Sequence, residues 1–398
     1  MSDPKPPTKG ILLSGTDRDL PDVLPSGIAR YINFSEMSLG NRSRLRAAFD
    51  TIVGRTVAIK SLLPNVALDR RHRRRFLREA RVTAQLQHPN TVPVYDIGTD
   101  PDLGIYFTMK RISGENLLQV IRRLDQGDEG AKRAFPLRRL LDIAINVAQA
   151  LAYSHVRGVI HRDIKPENIW VGNFGEVIVL DWGVAKVWGY PDELEELTPP
   201  TPVDTASTAT ATAQNSAAPN SAAPNSAAPT TAVDPGLPPG EDRPQAPRRD
   251  EDMSRLGEHS EEDLEKDQLR TLTNNGQRLG TPLYMSPEQV RGSQFVDDRT
   301  DIFSLGVVIY EMLTQKEPFR GRSIEETFEF IQSWDPPKPR SQVPFAEIPV
   351  ALDGVVMKAL AKRADDRFQT MGELIAELQA VMDSLGPTEG SAADKRGD

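Results

Sequence analysis

The sequence predicts an α+β fold divided into at least two lobes, and three observations carry that prediction. The 398 residues exceed what one hydrophobic core usually holds. Short alternating segments rich in β-branched residues recur between Tyr31 and Ile112, which is the pattern of strands. Helical spacing of apolar residues appears once inside that region, over 69–87, and dominates after Gly114.

Residues 1–29 hold much Pro, Gly, Asp and Ser, with Ile11-Leu12-Leu13 as their apolar cluster, and are expected to form a disordered tail. From Tyr31 the alternation leads to the strand Arg55-Thr-Val-Ala-Ile-Lys60, which carries a single Lys. Over Asp69 to Gln87 the residues Phe76, Leu77, Ala80, Thr83, Ala84 and Leu86 can share one helix face, with arginines on the other. The run Arg70-Arg71-His72-Arg73-Arg74-Arg75, with Arg78 beyond it, reads as a solvated face or as a cradle for a phosphorylated loop or an acidic partner, and less readily as a nucleic-acid patch, because no aromatic residues interleave the charges. Two further strands are expected in His88 to Gly98 and Ile105 to Ile112. A helix over Leu117 to Leu124, a charged loop to Arg133 and a long amphipathic helix from Leu137 to about Arg157 follow. Val177 to Leu180 is a strand that presents Asp181, and an apolar helix opens at Asp301.

Between Pro191 and about Gln268 hydrophobic periodicity disappears and Pro, Ala, Thr, Ser and Asn take over. Asn-Ser-Ala-Ala-Pro repeats between Asn215 and Pro229, and an acidic stretch, Glu258 to Asp267, ends the segment. Too little apolar surface is available there to offset chain entropy, so 191–275 is expected to be a disordered insert. Closure entropy grows only logarithmically with loop length, which lets one folded unit continue across it. The expected divisions are therefore a small lobe at 30–113, a large lobe at 114–190 and 276–383, and a second disordered tail at 384–398.

Composition narrows the chemistry. Without cysteine there are no disulfides, thiol nucleophiles or Cys-bound metals, in keeping with a reducing compartment. The five His residues (72, 88, 155, 161 and 259) lack ligand-like spacing, so any metal should be a hard cation held by oxygens. The N-terminus lacks the apolar core of a signal peptide, and no apolar run is long enough to span a membrane. The expectation is a cytoplasmic protein with no membrane span. A net charge of −9 argues against a general nucleic-acid partner.

The chemistry concentrates in His161-Arg162-Asp163-Ile164-Lys165-Pro166-Glu167-Asn168, followed after a short apolar hairpin by Asp181-Trp182-Gly183. An Asp able to receive a hydroxyl proton, a Lys two residues on, and an Asn and an Asp whose oxygens suit Mg²⁺ are the parts of a phosphoryl-transfer site. This ordered set is far more specific than a lone glycine loop.

These motifs resemble the eukaryotic-like Ser/Thr protein kinases, most closely their bacterial members, and the resemblance covers about 31–190 and 276–383. It implies a two-lobed protein-kinase-like fold, with a small, mainly antiparallel β-sheet lobe carrying one major helix and a larger, mainly helical lobe. Lys60 of Val57-Ala58-Ile59-Lys60 would bind the ATP phosphates, paired with Glu79. Asp163 and Lys165 would be catalytic, and Asn168 and Asp181 would hold Mg²⁺ or Mn²⁺. The nucleotide would further contact Met37, Gly40, Leu45, Ala58, Met109, Ile112, Trp170 and Leu180, with Lys110 to Ile112 as the hinge. Gly280 to Glu288 resembles the segment that closes the activation loop, with Ser286 where Ala is usual; Asp301 would bond the catalytic-loop backbone and Glu288 would pair with Arg367. Thr271 and Thr273 are the candidate phosphoacceptors, with Thr281 in the substrate-binding turn; the alternative is that they are ordinary loop threonines.

Further departures from the pattern lie in the glycine loop and at two tryptophans. The GxGxxG glycines fall on Ser38, Gly40 and Ser43, so fewer backbone N–H groups can approach a phosphate freely. Trp170 stands where a medium-sized apolar side chain lies beneath the adenine, and Trp182 replaces the Phe of DFG. The leading expectation is an ATP-dependent Ser/Thr protein kinase acting on protein hydroxyls, its own activation segment included through self-association. The alternative is a pseudokinase that binds nucleotide or partners without turnover.

Overall fold

The computed structural model describes residues 23–187, 282–293, 295–343 and 348–386. The insert, Thr271, Thr273, Thr281 and most of both expected tails lie outside the described residues.

Five strands form the small lobe: β1 (Tyr31–Leu39), β2 (Ser43–Asp50), β3 (Arg55–Leu62), β4 (Val94–Asp100) and β5 (Gly104–Lys110). They pair antiparallel in the order β1-β2-β3-β5-β4. Directly opposed residues project to one face, so Leu45, Lys60 and Phe107 line up across three strands, as do Ala47, Ala58 and Met109. On that face α2 (Arg70–Gln85), preceded by the short α1 (Pro64–Ala67), packs Phe76 and Ala80 against Leu62, Ile105 and Phe107. Asp69 caps α2 by accepting the Arg71 N–H, which satisfies one of the donors left over at a helix start. The opposite face has its own small cluster, Tyr31, Ala48, Val57, Ile59 and Tyr106. Ile28 packs on it from a 3₁₀ turn at Gly27–Arg30, inside the stretch expected to be tail, and Arg30 clamps Asp50 with two bonds of 2.6 Å.

Two details differ from the expected elements. On α2 the buried residues include Val82, whereas Ala84 is exposed. Residues 88–93 form no long strand; they leave the small lobe to bond the large one. Asn90 donates to Val177 O (2.8 Å) and Asn146 Oδ1 (3.1 Å), its own carbonyl accepts the Val179 N–H (2.8 Å), and Thr91 bridges to Val179.

The large lobe begins at β6 (Glu115–Asn116), which pairs with β8 (Ile169–Val171), itself paired with β9 (Val177–Val179). Between them run α3 (Leu117–Asp125), α4 (Glu129–Ala134), α5 (Leu137–Val156) and β7 (Val159–Ile160), and β7 pairs with β10 (Lys186–Val187). The charged segment expected as loop is the helix α4, started by Asp128 accepting the Gly130 and Ala131 N–H groups. After the insert come α6 (Pro287–Val290), α7 (Arg299–Thr314), α8 (Ile324–Ser333), α9 (Pro339–Gln342), α10 (Val350–Ala359) and α11 (Met371–Ser384). Every residue of α7 from Thr300 to Thr314 is buried, so this helix is hydrophobic all round because it is surrounded. One continuous core joins it to α5, α10 and α11.

Candidate active site

Each candidate residue owes its place to a nearby element. Lys60 projects from β3 and Glu79 from the inner side of α2, and Lys60 Nζ lies 2.5 Å from Glu79 Oε1 with both side chains mostly buried. Burial alone would depress the Lys60 ammonium, but Glu79 and Asp181 outweigh it and hold its pKa above the ordinary lysine value. Lys60 is therefore fully charged near neutral pH.

The catalytic-loop candidates sit between β7 and β8. Asp301, fully buried at the start of α7, accepts the backbone N–H groups of His161 and Arg162, both at 2.8 Å, and contacts His155 Nε2 at 2.8 Å. Arg162 Nε bonds the Val184 carbonyl at 2.9 Å. These bonds hold Arg162 at φ 66°, and Asp181 stands at φ 61°, a left-handed conformation that non-glycine residues adopt at a cost and that clusters at functional sites.

Lys165 Nζ donates to Asp163 Oδ2 at 2.8 Å, while Asn168 Nδ2 donates to Asp163 O at 2.9 Å and reaches Asp163 Oδ2 at 3.3 Å. Asn168 thus spends its amide N–H groups on Asp163, which leaves its oxygen to accept or to ligate. The Asp181 carboxylate accepts the Gly183 N–H at 3.3 Å. Burial, reinforced by Asp181, raises the Asp163 carboxyl against the pull of Lys165. Burial would also raise Asp181, but Lys60, His161 and Lys165 bring it below the usual carboxylate range. Two neighbouring carboxylates are pushed apart in this way, one toward taking a proton and one toward staying ionised. The oxygens of Asn168 and Asp181 are hard donors that fit Mg²⁺.

The candidate nucleotide contacts are distributed over both lobes. Ala58 and Met109 oppose each other in the β3/β5 register, and Leu45 opposes Lys60. Met37 is 41% exposed on β1. Gly40 occupies the β1–β2 turn, donating to Ser43 O at 3.0 Å, with an ordinary negative-side φ and a 3.4 Å clearance for an added Cβ. The hairpin itself does not require glycine there. Ile112 is half-buried just beyond β5, and Leu180 donates its N–H to Asn168 O at 2.8 Å.

Trp170 lies half-buried on β8, with its indole N–H donating to Ser113 O at 3.2 Å. That contact depends on Gly114, at φ 120°, where a Cβ would stand 2.1 Å from Val171 O. Only glycine lets the chain pass so close to β8 at this point. Trp182 is fully buried, packs against His161 with the rings tilted by 57° and their centroids 4.5 Å apart, and has no partner for its indole nitrogen among the described residues.

The supports expected at a distance are in place. Arg367 meets Glu288 with two bonds of 2.8 Å and also bonds the carbonyls of Arg299, Ala361 and Lys362. Gln289 was not singled out from sequence, yet it donates to the Arg162 carbonyl at 2.8 Å and completes a capping box with Ser286. Ser-x-x-Gln before a short apolar turn is the signal that could have revealed it. Ser286 is needed for that cap and also contacts Thr300 Oγ1 at 3.2 Å, which explains a hydroxyl where Ala is usual.

Comparison with known proteins agrees with this geometry. The family model described as "Protein kinase domain" matches residues 31–208 and 265–376. A serine/threonine-protein kinase, PknD, of Protochlamydia amoebophila is 29% identical over 357 residues, covering 89% of this chain and 30% of the relative. Probable serine/threonine-protein kinases of Streptomyces coelicolor and Corynebacterium efficiens are each 30% identical, over 358 and 359 residues. They are matched over 89% and 88% of this chain and 40% and 41% of their own lengths. The chain thus spans less than half of each of these relatives. With its motifs, fold and matched range in agreement, the chain belongs to the protein kinase domain family, among the bacterial eukaryotic-like serine/threonine kinases.

Proposed function

We propose that the chain is an ATP-dependent protein serine/threonine kinase that transfers the γ-phosphoryl group of Mg-ATP to hydroxyls of protein substrates. The formed Lys60–Glu79 pair beside Asp181, with Asp163, Lys165 and Asn168 already bonded to one another, carries this reading. Asp163 orients the substrate hydroxyl and receives its proton, and its raised pKa favours that role. Lys60 and Lys165 place positive charge where the transferring phosphoryl group gathers negative charge. Asn168 and Asp181 would hold the Mg²⁺ ion, which supplies charge neutralisation on the phosphates when bound. Ala58, Met109, Ile112, Trp170, Leu180, Leu45, Gly40 and Met37 are the proposed nucleotide contacts.

A scaffold without turnover would be expected to lose at least one acid, base or metal position, and all are retained. Arg162, tied to Val184, supports control through the segment that follows, and self-association for autophosphorylation belongs to the same proposal. Among the described residues no helix is long and apolar enough to cross a membrane. The lack of cysteine supports a cytoplasmic setting for the kinase.

The test is incubation of the purified chain with Mg-ATP and casein, followed by mass spectrometry. New phosphoserine and phosphothreonine on casein or on the chain itself are expected. Thermal stabilisation by Mg-ATP with no phosphate transferred would replace this reading with the scaffold.

A further inference from the structure

Helix α2 carries arginines at 70, 71, 73, 74, 75, 78 and 81. At 100° per residue, six of them, 70, 71, 74, 75, 78 and 81, fall within one arc opposite buried Phe76, Ala80 and Thr83, and the arc turns inward at the C-terminal end of the helix, where Val82 is buried. Arg70, Arg71, Arg74 and Arg81 are exposed. The carboxylate on the helix itself is Glu79, turned inward to Lys60. Like charges three and four residues apart weaken a helix, and a mixed polar face would keep it equally soluble. An unmixed array of guanidinium groups is a surface built for anions.

The matching charge lies in the same chain. Residues 191–275 contain 17 carboxylates against 6 basic residues. Six of those carboxylates fall in ten residues, Glu258, Glu261, Glu262, Asp263, Glu265 and Asp267, with Lys266 among them, and several pairs stand three or four residues apart, as the arginines do. The chain enters this segment just after Ala185, whose carbonyl accepts from Arg78 Nη1 at 3.4 Å. It returns at Pro282, with 14 residues between it and the acidic stretch, a reach of about 50 Å when extended. Tethering at both ends makes the encounter intramolecular and raises its effective concentration.

We propose that the acidic stretch 258–267 docks on the arginine face of α2. The contact needs no phosphate, because the stretch already brings six carboxylates. Since α2 carries Glu79, docking holds the helix where Glu79 meets Lys60, and so couples the insert to the phosphate-binding lysine. The docking stands whether or not the chain transfers phosphate, and its test reads distance rather than turnover.

The cysteine-free chain allows spin labels at Leu68→Cys, 85% exposed just before α2, and at Ser260→Cys. Distances are measured by pulsed electron resonance on the whole chain, shown by mass to be unphosphorylated. A narrow, short distribution is expected at 0.1 M salt, broadening at 1 M, where the screening length falls from about 10 Å to about 3 Å. The variant Glu261→Gln/Glu262→Gln/Asp263→Asn/Glu265→Gln should broaden it equally and speed amide exchange along α2 about tenfold. A broad distribution in the unaltered chain would overturn the proposal and leave a solvated face. A narrow one that survives neutralisation would do the same, as would one that narrows only after phosphorylation.

Discussion

The contact between Arg367 and Glu288 allows the sharpest quantitative prediction, because both partners are enclosed. Arg367 has a fully buried side chain and joins the Pro282–Val290 region to the last helices. Burial would raise the Glu288 carboxyl, but the Arg367 bonds and charge, with Thr300, bring it from 4.5 down to about 2. A difference of that size corresponds to about 3 kcal/mol of stability. A depressed carboxylate contributes fully above its unfolded value of 4.5, and that contribution is lost as pH falls toward about 2. Replacing Arg367 by Met leaves Glu288 buried without its cation, which costs about 3–5 kcal/mol for such pairs. Urea unfolding at pH 7 should show a loss of that order, and the slope of stability against pH between 4.5 and about 2 should flatten. Adding Glu288→Leu should recover part of the loss, since a well-packed apolar pair can replace a buried ion pair. A penalty below about 1 kcal/mol, the range of an exposed pair, would refute the claim that this ion pair anchors the segment.

Three further outcomes follow from individual contacts. Asp301→Asn keeps the shape but loses the charge that accepts two backbone N–H groups and faces His155; stability should fall by about 1–3 kcal/mol, read by denaturant melts, with a drop in phosphate transfer. Gly40→Ala should leave the melting temperature unchanged, since its φ is ordinary and space exists, while ATP titration should show weaker binding if the turn approaches the phosphates. Burial holds the Glu311 carboxyl at about 7, even though the Tyr284 hydroxyl donates to it at 2.7 Å. Being raised above 4.5, this group should lower stability as pH rises from 4.5 to about 7; Glu311→Gln should remove that part of the pH dependence in urea melts from pH 5 to 8.

Much of this arrangement is legible in the sequence where identity and spacing act together. Lys60 ends an apolar strand segment, and Glu79 faces the same way as Phe76 and Ala80 on a helix of regular period, so their meeting is legible once strand and helix are placed on one sheet face. Asp301 and Arg367 are legible only through the resemblance, since their partners lie 139 and 79 residues away and no local period links them. Helix α4 is missed because its charged residues carry little apolar signal, and the Asp128 cap decides the matter instead. The segment 88–93 is misread because Val92 and Val94 alternate like a strand, while Asn90 is drawn away to Val177 and Asn146 in the other lobe. Ala84 loses its expected place to Val82 because the helix packs along an inclined stripe, and side-chain size selects between neighbouring positions.

The most direct test of the proposed chemistry is the single-turnover rate of phosphate transfer by the unaltered chain and by Asp163→Asn, with Mg-ATP affinity measured in parallel. Asn preserves the size of the side chain near Lys165 and Asn168 but cannot take the hydroxyl proton. Nucleotide affinity should stay within about threefold while the rate falls by about 10²–10⁴. An undiminished rate in Asp163→Asn would contradict the assignment of proton transfer to this site.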